Sequence, residues 1–304
     1  MAYCWPIALA LAWAPVVHGQ LWVPGVGHGS FAVDYQQVLV GQRTDDRGRS
    51  EDLGKVLYRT VHLNVDYGLA ERWAVNVSLP YGSNRYTGLD SGHDPRIFQN
   101  QHGQHFIDDG SFRSGWKDWS LGARYRWRDA PVLITPYFLF GFPSHDYQFY
   151  GESALGLRQK ELQLGINVGG RLPAPWQDFY LAGGASYSWM QKKNDRRVNH
   201  STVTLDLGYF FSPRFSAHIG LTHRETYHGL DFPAAIFNTD ESLNENNLFF
   251  HDTIRGISFT EVHAGVSYRL NEHYTLMADG GRTAHGANAN LIKSAVSIGI
   301  SRSF

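Results

Sequence analysis

The histidine-rich part of this chain carries side chains that could bind a metal ion. His102 and His105 are separated by two residues, and Asp108 and Asp109 follow them. Imidazole nitrogens together with carboxylate oxygens suit divalent transition metals. The pair lies in a polar segment without strand or helix periodicity, and such a loop gives the ligands no fixed geometry. We therefore interpret these residues as solvated loop polarity and predict neither a metal site nor a cofactor.

A serine activated by a histidine is the second chemistry to weigh. Such a site needs a base within hydrogen-bond reach of the nucleophile and a third group that orients the base. His223 has a suitable position at the end of an alternating segment, but residues 224–226 supply no serine in the expected local pattern. Cys4 is the only cysteine and lies in the N-terminal apolar stretch, so thiolate chemistry has no candidate in the rest of the chain. We predict that the protein is not an enzyme.

The elements that must position the polar residues show a period of two, the pattern of a strand with two different faces. In residues 57–67, Leu63 and Val65 share one face, whereas His62 and Asn64 share the other. About twelve segments of this kind follow one another along the chain. Mean hydropathy is low, at -0.34, although aromatic residues make up 14% of the chain. This combination fits a membrane barrel with a polar interior.

The connections between these segments alternate in length. The short ones are residues 68–72, 129–131, 173–177, 212–214 and 271–273, and the longer ones are residues 42–52, 82–115, 144–159, 191–199, 224–256 and 283–290. Short periplasmic turns opposite longer extracellular loops are typical of outer-membrane barrels. We therefore predict an all-β fold, a transmembrane antiparallel up-and-down β-barrel of about twelve strands. A soluble sandwich has no reason to sort its loops in this way.

Aromatic residues flank nearly all of the short turns and indicate a girdle at one membrane interface. They are Tyr67, Trp73, Trp127, Phe179, Phe211, Phe215, Tyr268, Tyr274 and Phe304. Phe304 also ends the chain, after an alternating run that includes Ile298 and Ile300. Barrel-assembly machinery commonly reads such a terminal aromatic, so we expect Phe304 to be the assembly signal. The expected partners are this machinery and outer-membrane lipid.

The alternation assigns a mixed set of acids and bases to the inner face. The predicted lumen-lining residues are Asp34, His62, Asp66, Asp118, Arg124, Arg126, Arg171, Asp206, His218, Glu261, His263, Arg269 and Asp279. Arg126, Arg171 and Arg269 are predicted to form a basic collar near the periplasmic end, partly neutralised by Asp34 and Asp66. Two interpretations remain open, a packed interior joined by salt bridges and a narrow channel whose charges select the solute.

The N-terminal stretch has the features of a secretory signal. Residues 6–17 are mostly apolar but too short to span a bilayer, and Val17-His18-Gly19 fits a signal-peptidase site. We predict a signal peptide over residues 1–19 and a barrel domain over residues 20–304, exported to the outer membrane of a Gram-negative cell. The net charge of -1 and the lack of a basic run predict no nucleic-acid partner.

Three short motifs resemble a known family. Residues 65–73 (VDYGLAERW) followed by 78–81 (SLPY) resemble a hairpin of an outer-membrane barrel family associated with phenol-degradation gene sets. Residues 115–118 (GWKD) with 121–126 (LGARYR) resemble its next strand, although Lys117 stands where the family commonly has glycine. Phe142-Pro143 resembles the end of the strand that follows. The family is described as transporter-like, with no established substrate or catalytic residue, so the resemblance implies a barrel, an outer-membrane location and a transport role.

The favoured functional hypothesis is a passive channel for small solutes, with hydrophobic or aromatic ones included. The alternative is a barrel with a closed lumen that acts through its outer loops in binding or adhesion. A lipid-modifying hydrolase that uses His223 is a third hypothesis.

Overall fold

The computed structural model describes residues 21–88, 107–231, 238–240, 242 and 244–304. The predicted signal peptide, residues 1–19, lies outside the described residues, as do His102 and His105. No helix in the described ranges is long and apolar enough to cross a membrane.

The described chain is almost entirely β-structure. The strands are β1 (Gly29–Thr44), β2 (Ser50–Ala70), β3 (Trp73–Thr87), β4 (Arg113–Trp116), β5 (Trp119–Tyr125), β6 (Leu133–Phe142), β7 (Glu161–Arg171), β8 (Phe179–Met190), β9 (Asn199–Phe210), β10 (Phe215–Tyr227), β11 (Ser258–Arg269), β12 (Tyr274–Ala287) and β13 (Asn290–Ser303). The helices are α1 (Glu245–Phe249) and α2 (His251–Ile254), both between β10 and β11.

The strands form one antiparallel sheet that closes on itself. Each strand pairs with its neighbours in sequence, β1 pairs with both β2 and β13, and β2 also pairs with β3. The exception is β4, which lies end to end with β5 along β3. The break falls at Lys117, whose backbone N–H donates to the carbonyl of Pro80 at 2.9 Å. Pro80 has no N–H of its own to continue the ladder. β4 and β5 together occupy one position in the wall, so the thirteen strands form a barrel of twelve staves, meaning strand positions around the wall. The predicted fold is confirmed.

The outward side chains of the staves are apolar and exposed. Ile219 is 60% exposed and Ile298 is 64% exposed. Their strand neighbours one position away face the interior, as Ser297, 5% exposed, illustrates. An apolar surface of this extent is unfavourable in water, and a bilayer covers it. The outer surface therefore matches lipid.

Aromatic rings border this apolar surface at both ends of the barrel. At the periplasmic end, which carries Gly29 and Phe304, the ring centroids of Phe211 and Phe215 lie 5.4 Å apart. At the opposite end, Tyr81 and Trp116 meet edge to face with 5.5 Å between centroids. Two rings of amphipathic side chains are the arrangement found where acyl chains meet headgroups.

Several outer connections are shorter than the sequence predicted. β12 and β13 continue until only residues 288–289 join them, β1 and β2 are joined by residues 45–49, and β10 reaches Tyr227. β3 likewise extends to Thr87. These extensions rise above the lipid-facing band, where neither face needs to be apolar. The period of two is therefore lost although the backbone pairing continues.

Candidate lumen and the segments that close it

The periplasmic end of the interior is filled by residues 21–28, which precede β1 and are called the floor below. Leu21 is fully buried and packs against Tyr180 and Ala182 on the inner face of β8. The hydroxyl of Thr135 on β6 donates to the Leu21 carbonyl at 2.8 Å. Since β6 and β8 approach Leu21 from the barrel wall, the floor lies inside the barrel.

A charged group anchors the floor. The Arg124 guanidinium donates to the carbonyl of Trp22 at 2.9 Å and also pairs with Asp66 at 2.5 Å. Gly68 leaves the space that the floor occupies, because a Cβ at this position would lie 2.1 Å from the carbonyl oxygen of Gly25. Alternation predicts Arg124 and Asp66 on the inner face, but it does not indicate that they hold a segment inside the barrel.

The outer end of the interior is covered by three loop segments, residues 107–108, 147–155 and 248–254, which are called the ceiling below. Their buried aromatic and aliphatic side chains form one cluster. The Phe149 and Phe249 centroids lie 5.1 Å apart, and Tyr150 lies 5.3 Å from Phe249. Leu155 reaches the wall, where it lies against Gly115. The ceiling is therefore a small core of its own in the mouth of the barrel.

The ceiling segments also bury acidic side chains. Asp108 accepts hydrogen bonds from the backbone N–H groups of Glu152 and Ser153 at 2.7 and 2.8 Å. Burial raises the pKa of Asp108 to about 6, although the bonds from Ser153 oppose the shift. Burial, with help from the charges of Asp252 and Asp108, holds the pKa of Glu152 well above its usual range. Asp109, the other carboxylate that the sequence offered to a metal, pairs with Arg113 at 2.5 Å.

Below the ceiling, the inner face carries an ionic group that spans β7 to β11. His200 Nε2 lies 3.4 Å from Glu161, and Arg224 is within electrostatic range of both Glu161 and Glu261. Glu261 was expected on the inner face. Glu161, His200 and Arg224 were not among the predicted lumen residues. The strands continue past the ends of the alternating segments, so alternation did not assign a face to these three residues. Lys117 was not predicted for another reason. The break between β4 and β5 places two successive residues on the inner face, whereas alternation allows only one of them there.

Closer to the floor, the inner face carries a second polar group on β9 to β12. Asp206, His218 and His263 can place their ligand atoms within 4.8 Å of one another. Asp279 Oδ1 lies 2.9 Å from His218 Nε2. All four were predicted to line the lumen, but the alternation gave no indication that they meet. The signal that could have revealed it is the pairing register, which a single sequence does not contain.

The remaining predicted residues are spread around the wall. Asp34 accepts a hydrogen bond from the Asn64 amide at 3.0 Å and pairs in register with His62. Asp118 accepts a hydrogen bond from the Tyr147 hydroxyl, which ties the ceiling to the wall.

The arginines of the predicted basic collar lie in three different surroundings. Arg126 follows the end of β5 and lies 2.9 Å from Asp129. The Arg171 guanidinium is 4.3 Å from the ring centroid of Phe210, and Arg269 is exposed.

One sector of the inner face is apolar. It occupies the outer half of β13, β1, β2 and β3, and its buried members are Val38, Val40, Val56, Tyr58, Tyr86, Ile292 and Ala295. Alternation predicts a polar lining and gives no indication of this apolar sector. Val38 and Val40 look like ordinary strand residues, and only the closed register brings them beside Val56.

His223 lies on the outer surface near the end of β10. Its Nδ1 is 2.9 Å from the hydroxyl of Thr260, while its Nε2 is 4.0 Å from Glu225. The latter distance exceeds a hydrogen bond. A base oriented by a third group, which hydrolysis by a Ser–His pair requires, is therefore not assembled here.

Comparisons with known proteins identify the fold. No family model matches the chain, and no curated protein matches it by sequence. An outer membrane channel from Pseudomonas putida F1 superposes with a TM-score of 0.70 at 16% identity, covering 95% of this chain and all of that one. The NanC porin gives 0.50 at 13% identity, covering 90% of this chain and 98% of that chain. The β domain of the Bordetella autotransporter BrkA gives 0.50 at 14%, covering 91% and 99%. At such identities the likeness shows a shared outer-membrane barrel fold.

Proposed function

We propose that this protein is an outer-membrane channel that passes small solutes with apolar or aromatic surface. The observation that carries the proposal is the apolar sector of the inner face beneath an aromatic ceiling. A lumen for hydrophilic solutes has no need to bury valine and isoleucine on its inner wall. The members of this sector are buried in the closed barrel, so apolar solute surface gains contact with them only when the segments that close the barrel move, while polar groups remain available on the rest of the inner face.

The floor and the ceiling act as the two gates in this proposal. Both are held by hydrogen bonds and packing rather than by strand pairing with the wall. Loops of this kind open at a lower free energy than the sheet they cover. Passage requires movement of both segments while the twelve staves remain paired.

Apolar solutes also cross lipid directly, so their uptake does not report on the channel alone. Blockade of the ion current through the channel tests the proposal instead. Refolded protein in planar bilayers is exposed to benzoate and, for comparison, to gluconate. We expect benzoate to reduce the current at concentrations where gluconate has no effect. The double variant Val40→Thr, Val56→Thr should weaken this blockade several-fold, because it places hydroxyls in the apolar sector at nearly unchanged volume.

The matched control is Val203→Thr, which makes the same change on the exposed face of β9. Equal blockade by both anions, or a double variant that behaves like this control, contradicts the proposed solute class.

The alternative is a barrel with a closed lumen that acts through its outer loops in binding or adhesion. One observation favours it, that segments fill both ends of the barrel. It predicts no ion current from the intact protein and none after the floor is deleted. Current that appears on deletion of the floor supports the channel.

We also propose that the chain is exported and cleaved after Gly19. The position of Leu21 supports this, because a residue fully buried in the lumen leaves little room for an attached apolar leader. Mass spectrometry of the protein from outer membranes should find Gln20 as the first residue. A retained leader would contradict the proposed cleavage.

A further inference from the structure

The polar group near the floor has the composition of a metal site. Asp206, His218 and His263 come from β9, β10 and β11, and among the described residues they form the one group of at least three such side chains with converging ligand atoms. Two imidazoles with a carboxylate suit zinc, copper and nickel. The three residues are separated by at least eleven positions in sequence, so the barrel register alone brings them together.

Glycines in the register provide the space in which these side chains converge. Gly220 pairs with Asp206 on one side and with His263 on the other. A Cβ on Gly220 would lie 2.2 Å from His263 Nε2 and 2.9 Å from an Asp206 oxygen. Gly265 does the same for His218, whose Cε1 would be 2.5 Å from a Cβ at that position. Each polar side chain therefore leans over a glycine on the neighbouring strand.

The surrounding charges favour a cation. Asp279 Oδ1 holds His218 Nε2 at 2.9 Å, the type of carboxylate contact that orients metal-bound imidazoles. Asp34 lies within electrostatic range of Asp279. Three carboxylates thus accompany two imidazoles. Arg124, a cation that contacts the floor, is already engaged by Asp66 and by the Trp22 carbonyl.

We propose that Asp206, His218 and His263 bind one divalent transition-metal ion on the wall of the lumen, with Asp279 as the positioning residue of His218. Ligand atoms around tetrahedral zinc are about 3.3 Å apart, so movements of about 1 Å complete the set. With three protein ligands, a fourth position remains for water or for a solute donor atom. The site lies beside the floor, because Asp206 pairs with Ala182, against which Leu21 packs.

The proposed metal site goes beyond the proposed channel and does not depend on it. Metal binding is measured on the folded barrel in detergent, where no transport takes place. A barrel that passes no solute can still bind the ion, and a channel can lack the site. The two proposals therefore fail independently.

The experiment uses the mature protein without a histidine tag, stripped with a chelator, and titrated with zinc by calorimetry and with cobalt by visible absorption. We expect one zinc per barrel and the absorption of cobalt bound to nitrogen and oxygen. His218→Gln and His263→Gln should each weaken zinc binding at least about tenfold, and Asp279→Asn by about tenfold. Heat-modifiable migration on a gel confirms that each variant is folded.

Two controls separate this site from other histidines. His62→Gln alters an inner-face imidazole outside the group, and the double variant His102→Gln, His105→Gln removes the loop pair. Both should bind zinc as the parent does. Absence of saturable binding in the parent, or binding retained by the double variant His218→Gln, His263→Gln, overturns the proposal.

Discussion

Single residues decide how the interior of this barrel is filled, and glycines are as important as the side chains that lean over them. The ring of Tyr180 occupies the space beside Gly208, and the Asp279 carboxylate occupies the space beside Gly265. Each pair lies in register on adjacent strands. A wall in which each large side chain lies beside a glycine of the neighbouring strand packs tightly without widening the barrel.

Gly265→Ala is expected to destabilise the barrel by about 1–3 kcal/mol, because the new methyl group would overlap Asp279 and His218. A Cβ at this position lies 2.2 Å from Asp279 Oδ1. Gly280→Ala is the matched control, since the nearest atom to its Cβ is 3.7 Å away. Urea unfolding in lipid vesicles measures both. A control as destabilised as Gly265→Ala would show that the overlap is not the cause.

The buried acid of the ceiling gives a second prediction at this scale. The pKa of Glu152 is raised in the folded ceiling above its ordinary value of 4.5. Its contribution to ceiling stability is therefore fully present below that ordinary value and is lost as the pH rises through the raised pKa. Asp108 acts in the same direction between 3.8 and about 6. The ceiling should be most firmly closed in acid.

Glu152→Gln keeps the side-chain oxygen that accepts from Asn290 at 3.2 Å and removes the charge. We expect the ceiling of the variant to stay closed at pH 8. Its stability should still depend on pH, but less than in the parent, because Asp108 still titrates. Electron paramagnetic resonance of a spin label at Gln148, an exposed ceiling residue, reports the mobility between pH 4 and pH 8. Asp146→Asn, an exposed acid of the same loop, is the control. If the spin label were as mobile in Glu152→Gln as in the parent at pH 8, this prediction would be wrong.

At the scale of elements, the sequence predicted the staves well and the closing segments poorly. Strand faces such as that of Leu63 and Val65 were predictable because lipid forces a period of two on everything it touches. The floor and the ceiling obey no such rule. Leu21 and Phe149 are buried by contacts with distant strands and loops, which local periodicity does not encode. Alternation could therefore propose single inner-face residues within the predicted strands, whereas residues beyond the predicted strand ends, such as Glu161 and Arg224, and the groupings of all of them required the register.

Removal of the floor is the prediction that belongs to this scale. A mature chain that lacks residues 20–25 should give a larger single-channel conductance than the parent, because Leu21 and Trp22 leave the space between β6 and β8. The wall should be unaffected, since Gly27 and the residues after it retain their bonds to Gly68 and Phe304. Planar-bilayer recording measures the change.

Trp22→Ala serves as the control for the floor deletion, because it trims a side chain that is 38% exposed and keeps the backbone in place. Equal conductance of the deletion and the parent would show that the floor does not obstruct the lumen.

The molecule as a whole depends on one seam, where the last strand meets the first. β13 pairs with β1 from Ser30 to Arg43, and this pairing converts an open sheet into a barrel without edges. Beyond the last pair, the backbone of Phe304 exchanges two hydrogen bonds of 3.0 Å with Gly29. The Phe304 ring covers Gly29, since a Cβ there would lie 2.9 Å from the ring. The terminal aromatic thus belongs both to the girdle and to the seam.

Phe304→Ala should lower the yield of assembled barrel and leave the conductance of each assembled barrel unchanged, because the ring lies outside the lumen at the seam. Quantitative heat-modifiable gels of outer membranes measure the yield, and planar bilayers measure the conductance. Phe211→Ala is the matched control, an aromatic of the same girdle that is 60% exposed and lies far from the seam. If both variants assembled equally well, or lost the same yield, the special role of the terminal residue would be refuted. A loss confined to Phe304→Ala means that closure at the seam, rather than the girdle in general, limits assembly.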